Sequence, residues 1–137
     1  MLGVTEAAPD AALTEMDWGD WEGRTIADLR ADLGPRMREL EDRGLDFRPD
    51  GGESPRDVQI RLRPWLTDRA KDGGLTAAVT HKGVIRAVMA LAYDWDMRGK
   101  APVKLAWDRV HVFALSGDGQ PAPHALNHGL DQDIEDP

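Results

Sequence analysis

A single histidine stands at a place in the sequence where a helix is expected to begin. Residues 75–80 read Leu-Thr-Ala-Ala-Val-Thr, a short apolar run that predicts a strand covered on both faces. His81 follows this run, and a helical pattern restarts at about Gly83. Free backbone N–H groups and the positive end of a helix dipole converge at such a junction, which suits it to anions and to phosphate chemistry. A histidine that merely caps a buried strand is the structural alternative.

Two segments upstream give this junction a context. Residues 13–23 read Leu-Thr-Glu-Met-Asp-Trp-Gly-Asp-Trp-Glu-Gly, and residues 48–54 read Arg-Pro-Asp-Gly-Gly-Glu-Ser. Together with the Thr-His-Lys-Gly sequence of residues 80–83, they resemble the histidine phosphatase superfamily, in its phosphoglycerate-mutase-like branch. Members of that branch carry L-x-E-x-x-x-G-x-W-E-G, then P-x-G-G-E-S, then T-H-x-G. The resemblance runs from about Leu13 to about Phe113, and the order of the three segments makes it specific.

The resemblance implies an α/β fold. The expected architecture is a partial phosphoglycerate-mutase-like three-layer fold, with a mostly parallel sheet flanked by helices and the N-terminal central strand absent. Residues 1–137 are then a single domain that corresponds to the C-terminal two thirds of the family fold, and residues 120–137 form a flexible tail.

The implied activity is phosphomonoester hydrolysis or phosphoryl transfer through a phosphohistidine, without a cofactor. In that reading Glu15 donates a proton to the leaving oxygen and later activates water. His81 neutralises charge on the non-bridging phosphoryl oxygens, and Gly83 lets the backbone approach the phosphate. The alternative for Glu15 is a structural carboxylate bonded to backbone amides.

Several neighbouring residues have both a functional and a structural interpretation. Glu53 and Ser54 could line the mouth of a phosphate pocket, but capping of the next helix explains them equally well. Trp18 and Trp21 are expected to hold the loop that aims Glu15, because large aromatic side chains usually pack.

Three further residues have mainly structural interpretations. A surface or ion-pair role is favoured over phosphate contact for Arg61 and Arg86. His111, inside a predicted strand, is expected to be a packed structural residue.

The family's first strand ends in Arg-His-Gly, whose histidine becomes phosphorylated, and this sequence contains no Arg-His pair. Only residues 127–129, Asn-His-Gly, faintly echo that motif. An empty central slot would leave an open sheet edge, which invites a swapped or homodimeric arrangement. A misplaced gene start or a gene fragment is the favoured explanation. The chain alone is therefore expected to be inactive, and the alternatives are a non-catalytic domain that binds phosphate ligands or proteins, or a truncated gene product.

Composition limits the remaining classes of function. The 137 residues carry a net charge of −8, which disfavours nucleic-acid binding. The same charge would repel a phosphorylated substrate at long range unless local cations offset it. A phosphorylated small molecule is the partner that the resemblance implies. The absence of cysteine fits the cytoplasm, and no apolar run approaches the roughly 18 residues of a membrane span. No metal site is expected, because His124 and His128, although spaced i, i+4, lie among Pro and Gly residues.

Periodicity and caps predict the elements that position these residues. The lead-in, residues 1–12, is expected to be irregular. The predicted helices are residues 26–33 capped by Thr25, residues 35–43 opened by Pro35, a long helix capped by Ser54 that ends at residues 72–74, and residues 84–92. Residues 109–115 alternate and predict a second strand, closed by Ser-Gly-Asp-Gly.

Overall fold

The computed structural model describes residues 6–135; the first five residues of the predicted lead-in and the last two of the predicted tail lie outside the described residues. The helices are α1 (Ile26–Leu33), α2 (Pro35–Glu41), α3 (Pro55–Asp72) and α4 (Lys82–Ala92), and the strands are β1 (Val110–Leu115) and β2 (Pro121–His128). Short 3₁₀ turns occur at Ala11–Leu13, Gly19–Trp21 and Gly44–Asp46. No helix in this part of the chain is long and apolar enough to cross a membrane.

The predicted starts of α1, α2 and α3 are confirmed, and α4 begins two residues earlier than predicted, at Lys82. Thr25 caps α1 by accepting a hydrogen bond from the backbone N–H of Asp28, whose carboxylate accepts one from the N–H of Thr25 in return. Ser54 and Asp57 form the same reciprocal capping box at α3. These local bonds satisfy N–H groups that the first turn of a helix leaves free, and so they set the residue at which each helix begins.

Two hydrophobic clusters hold the helices together. The first joins α3, α4 and the segment before α1, and it consists of Met16, Val58, Leu62, Leu66, Val84, Ala87 and Leu91. The second lies under α1 and α2 and consists of Trp21, Leu29, Met37 and Leu40. Trp18 and Phe47 pack against both clusters, so the segment that carries Glu15 is anchored to the whole helical layer.

The sheet of the described residues is one antiparallel pair. β1 pairs with β2 from Val110 opposite His128 to Leu115 opposite Pro121, with irregular register near Val112. The prediction of a flexible tail from residue 120 is therefore wrong for residues 121–128. Pro121 and Pro123 argued against a strand because proline lacks an N–H group, but a strand with one paired edge can accommodate them.

Residues 75–80 do not form the predicted strand. They lie outside any helix or strand and pair with no other strand of the described chain, and residues Leu75 and Val79 are 61% and 97% exposed. A strand exists only through the hydrogen bonds of a neighbour, and residues 6–135 supply none here. For the same reason, the predicted mostly parallel sheet is not formed within the described residues.

The exposure of residues 75–80 predicts a difference between two valines. Val79→Ser should change the free energy of unfolding by no more than about 0.5 kcal/mol, because the side chain is already in water. Val112→Ser, at a position only 8% exposed in β1, should lower it by about 1.5–3 kcal/mol. Urea unfolding of the 137-residue protein measures both values. Equal losses would show that residues 75–80 are buried in solution.

Candidate functional site

Glu15 and His81 lie at the same place, the N-terminus of α4. The Glu15 Oε2 atom is 3.5 Å from the backbone N of Gly83, and its Oε1 atom accepts a hydrogen bond of 2.8 Å from the N–H of Met16. A Cβ atom at Gly83 would overlap the Glu15 carboxylate, so a larger residue there would require the Glu15 side chain to move from this position. His81 is the N-cap residue of α4, and its exposed ring makes no hydrogen bond within the described residues. An acid and an imidazole thus flank the first turn of one helix.

Arg61 on α3 holds the segment that carries the acid. Its guanidinium donates hydrogen bonds of 2.6 Å to the backbone oxygens of Ala12 and Thr14, and one of 3.3 Å to that of Glu15. The same fork forms an ion pair with the Glu53 carboxylate through Nε, at 2.9 Å. The ion-pair interpretation of Arg61 agrees with this geometry, but sequence reasoning missed that Arg61 positions the acid.

The hydrogen bonds from Arg61 to residues 12–15, together with its ion pair to Glu53, are called the clamp below. Glu53 connects this clamp to the loop beyond Glu15. Its backbone N–H donates to the Asp17 carbonyl at 2.8 Å, and its Oε2 atom accepts from the Asp17 N–H at 3.0 Å. Burial raises the pKa of Glu53, but the hydrogen bonds from Arg61 and Asp17 and the charge of Arg61 outweigh it, so the pKa lies below its ordinary value. The Glu53 carboxylate therefore holds Asp17 and Arg61 in place, and a contact between Glu53 and the substrate stays a prediction.

Ser54 has a structural role as the N-cap of α3. Its side chain is 5% exposed, and its hydroxyl oxygen accepts a hydrogen bond of 3.2 Å from the N–H of Asp57. The described contacts support the capping interpretation, and a role for Ser54 in a pocket mouth stays a prediction.

The two glycine-containing loops approach each other backbone to backbone. The Asp20 N–H donates to the Asp50 carbonyl at 2.9 Å, and a Cβ atom at Gly52 would overlap the carbonyl oxygen of Asp17 and lie 2.9 Å from the N atom of Gly19. The glycines of these motifs are thus required by close packing of one loop on the other, and this packing determines where the acid segment runs.

Aromatic packing completes the support. The rings of Trp18 and Trp21 meet Phe47 edge to face, with centroids 6.2 and 5.5 Å apart. The backbone N–H of Trp18 donates to Glu22 Oε1 at 3.3 Å. These side chains hold the loop from within, as the sequence indicated.

Residues 75–80 reach the site through one bond. The Thr80 hydroxyl donates to the carbonyl oxygen of Leu13 at 2.7 Å, which joins the end of residues 75–80 to the chain just before Glu15. Position 80 of the Thr-His-Lys-Gly motif thus has a structural use that the sequence did not reveal.

The other histidines lie away from this arrangement of contacts. His111 in β1 accepts a hydrogen bond of 3.1 Å from the Asn127 N–H through Nδ1, and burial lowers its pKa. His124 and His128 are in β2, where their Nε2 atoms lie near the carbonyl oxygens of Glu135 and Gln132. Among residues 6–135, no three His, Cys, Asp or Glu side chains come together to hold a metal ion.

Comparison with known proteins now defines the class. The model of the histidine phosphatase superfamily (branch 1) matches residues 2–127, and the chain belongs to this superfamily. It is 29% identical over 123 residues to a 2,3-bisphosphoglycerate-dependent phosphoglycerate mutase of Azorhizobium caulinodans, covering 85% of this chain and 60% of that protein. It is 34% identical over 117 residues to the protein of the same name from Rhizobium rhizogenes, covering 82% and 56%.

Solved structures match the same part of the chain. A mycobacterial glucosyl-3-phosphoglycerate phosphatase in complex with inorganic phosphate is 26% identical, with a TM-score of 0.65 over 86% of this chain and 63% of that one. A structure named mycobacterial hydrolase 1 gives a TM-score of 0.66 at 26% identity, over 87% and 62%. The protein therefore has the α/β fold of histidine phosphatases, and it spans between half and two thirds of the length of these relatives.

The contact between the two loops predicts the effect of one methyl group. Gly52→Ala should lower the free energy of unfolding by about 1–3 kcal/mol, because the new Cβ atom must push the Asp17 and Gly19 backbone away. Gly117→Ala is the matched control, since a Cβ atom there meets nothing within 4 Å. Thermal unfolding of both variants measures the difference. A harmless Gly52→Ala change would contradict the described loop packing.

The clamp predicts a pH-dependent loss of stability. Because the pKa of Glu53 is lower in the folded protein, its ion pair contributes stability above the unfolded-state pKa, near 4.5, and loses it as pH falls through the folded-state value. Glu53→Gln should therefore lower the unfolding free energy by about 1–3 kcal/mol at pH 7, and this deficit should shrink below pH 4.5. Urea unfolding from pH 7 to pH 3 tests it, with the exposed Glu39→Gln as control. A deficit independent of pH would contradict the clamp.

Proposed function

We propose that the protein is part of an enzyme that hydrolyses phosphomonoesters, or transfers their phosphoryl group, through a phosphohistidine. The observation that carries the proposal is the placement of the Glu15 carboxylate against Gly83, two residues from His81, at the N-terminus of α4. Membership of the superfamily and the names of the similar mutases and phosphatases support it. The substrate is a phosphorylated small molecule, and the absence of cysteine supports a cytoplasmic location.

In the proposed reaction each of these residues has a distinct role. A histidine nitrogen attacks phosphorus, the bond from phosphorus to the substrate oxygen breaks, and Glu15 gives its proton to that leaving oxygen. Glu15, now ionised, takes a proton from water, whose oxygen attacks phosphorus and releases phosphate from the histidine. A mutase passes the phosphoryl group to a substrate hydroxyl instead. In both steps His81, the backbone N–H of Gly83 and the positive end of α4 stabilise charge on the non-bridging oxygens.

The attacking histidine comes from a strand that pairs with residues 75–80. The backbone groups of residues 75–79 make no hydrogen bond within the described residues, and the segment leads directly to His81. Its exposed Val79 is the kind of side chain that an adjacent strand would cover. An Arg-His-Gly strand in a longer form of the polypeptide, or in a different chain that pairs with this edge, would place a nucleophile next to His81.

The test compares two proteins with a chromogenic phosphate ester. The 137-residue chain alone should give no turnover, and a form extended upstream by a strand that ends in Arg-His-Gly should give activity. Glu15→Gln and His81→Gln should each lower that activity about a hundredfold or more, as expected for a general acid and for a group that stabilises phosphoryl charge.

Matched controls separate these roles from general damage. Asp20→Asn removes an exposed carboxylate of the same loop, and His124→Gln removes an exposed imidazole of β2; both should keep most of the activity of the extended form. Turnover by the unextended chain that survives both Glu15→Gln and His81→Gln would overturn the residue assignments. Stabilisation by inorganic phosphate without turnover in the extended form would favour the alternative, a non-catalytic domain that binds phosphorylated ligands.

A further inference from the structure

A cleft of about 570 Å³ lies between α4 and the chain that precedes β1. Arg86 and Met89 line it from the helix, and residues 100–105 and Trp107 line it from the other side. Its volume falls within the range of small-molecule sites, and most of its walls are apolar.

The cleft is on a different face of α4 from the phosphate site. Gly83 faces Glu15, and the carbonyl oxygen of Ala87 accepts a hydrogen bond of 3.2 Å from Gln59 of α3. Arg86 follows Lys82 by four residues and Met89 follows Arg86 by three, so these three residues share one side of the helix. The residues that line the cleft include neither Gly83 nor Glu15 nor His81. The cleft is therefore a second candidate site, independent of the acid and the imidazole.

The wall opposite α4 is held in place. Asn127 of β2 accepts a hydrogen bond of 2.7 Å from the Ala106 N–H and donates one of 3.1 Å to the Lys104 carbonyl oxygen. The Lys82 ammonium lies 5.2 Å from the centre of the Trp107 ring, which joins this wall to the start of the helix. The cleft is thus bounded by secondary structure on one side and by a segment fixed to β2 on the other.

The charges around the cleft are all positive. Arg86, Lys100 and Lys104 line it, and none of the lining residues is acidic. Within the part of the chain that the structure describes, none of these three cations has a carboxylate oxygen within 4.0 Å. The guanidinium of Arg86 lies 5.7 Å from the centre of the Trp95 ring. The whole sequence has 25 acidic and 17 basic residues, so three unpaired cations around one apolar cleft indicate an anion as the missing partner.

We infer that the cleft between α4 and residues 100–107 binds a small organic anion with an apolar body. Val103 and Trp107 cover that body, while Lys100, Lys104 and Arg86 bind a carboxylate or a phosphate group. The two acidic groups share this recognition, so the experiment compares them directly.

The experiment titrates the 137-residue protein with benzoate and phenyl phosphate, and with benzyl alcohol as the neutral analogue. Calorimetry gives the affinity, and amide chemical shifts give the location. At least one of the two anions should bind saturably, more weakly as salt is added, and should shift the amides of Arg86, Met89 and residues 100–107. Tighter binding of phenyl phosphate assigns a phosphate to the site, and tighter binding of benzoate assigns a carboxylate.

Two double variants, each of which removes two positive charges, show whether binding depends on the cations of the cleft. Lys100→Gln with Lys104→Gln should weaken binding about tenfold or more, because charge-assisted contacts are lost. Arg36→Gln with Lys71→Gln, both at exposed positions outside the cleft, should leave it nearly unchanged. Equal effects of the two pairs, equal binding of benzyl alcohol, no saturable binding of any probe, or shifts confined to residues 81–83 would each overturn the inference. Binding should persist in Glu15→Gln, which separates this result from the fate of the proposed function.

Discussion

The Arg61 guanidinium is the contact on which the position of the acid depends. The segment from Ala12 to Glu15 has only a 3₁₀ turn of its own, and it lies where a fork of N–H groups on α3 binds its carbonyl oxygens. Glu53 neutralises the fork and pairs with the backbone of Asp17. A planar group with several fixed donors can do this, whereas a lysine ammonium offers no such geometry.

Two candidate sites lie close together at the start of α4. They remain separate because different residues of the helix face each of them. Gly83 lies against the Glu15 carboxylate, and the side chain of the N-cap residue His81 makes no capping hydrogen bond. The face of Arg86 and Met89 meets the cleft instead. Anions are favoured near the first turn for a physical reason that does not depend on the family, since its N–H groups lack partners within the helix.

Residues 75–80 show how a strand depends on its neighbours. Their composition is that of a covered strand, but Val79 stands almost fully in water and the backbone pairs with nothing in the described chain. A segment with apolar side chains and unpaired N–H and C=O groups can pair with another strand. The proposed enzyme uses that property, because the strand that covers residues 75–80 would also deliver the attacking histidine.

The sequence by itself determined the helices, the family and the residues to examine. Thr25, Ser54 and Pro35 mark helix starts through contacts with residues at most a few positions away, and the motifs around Glu15 and His81 need only their order along the chain. Tertiary structure decided what depends on distant partners. Residues 75–80 find no neighbouring strand in the described chain and form none, whereas residues 121–128 pair with β1 despite two prolines. It also decided that Arg61 clamps a segment 46–49 positions away, which no local pattern encodes. Caps and periodicity are short-range, whereas pairing and clamping require the chain to have folded.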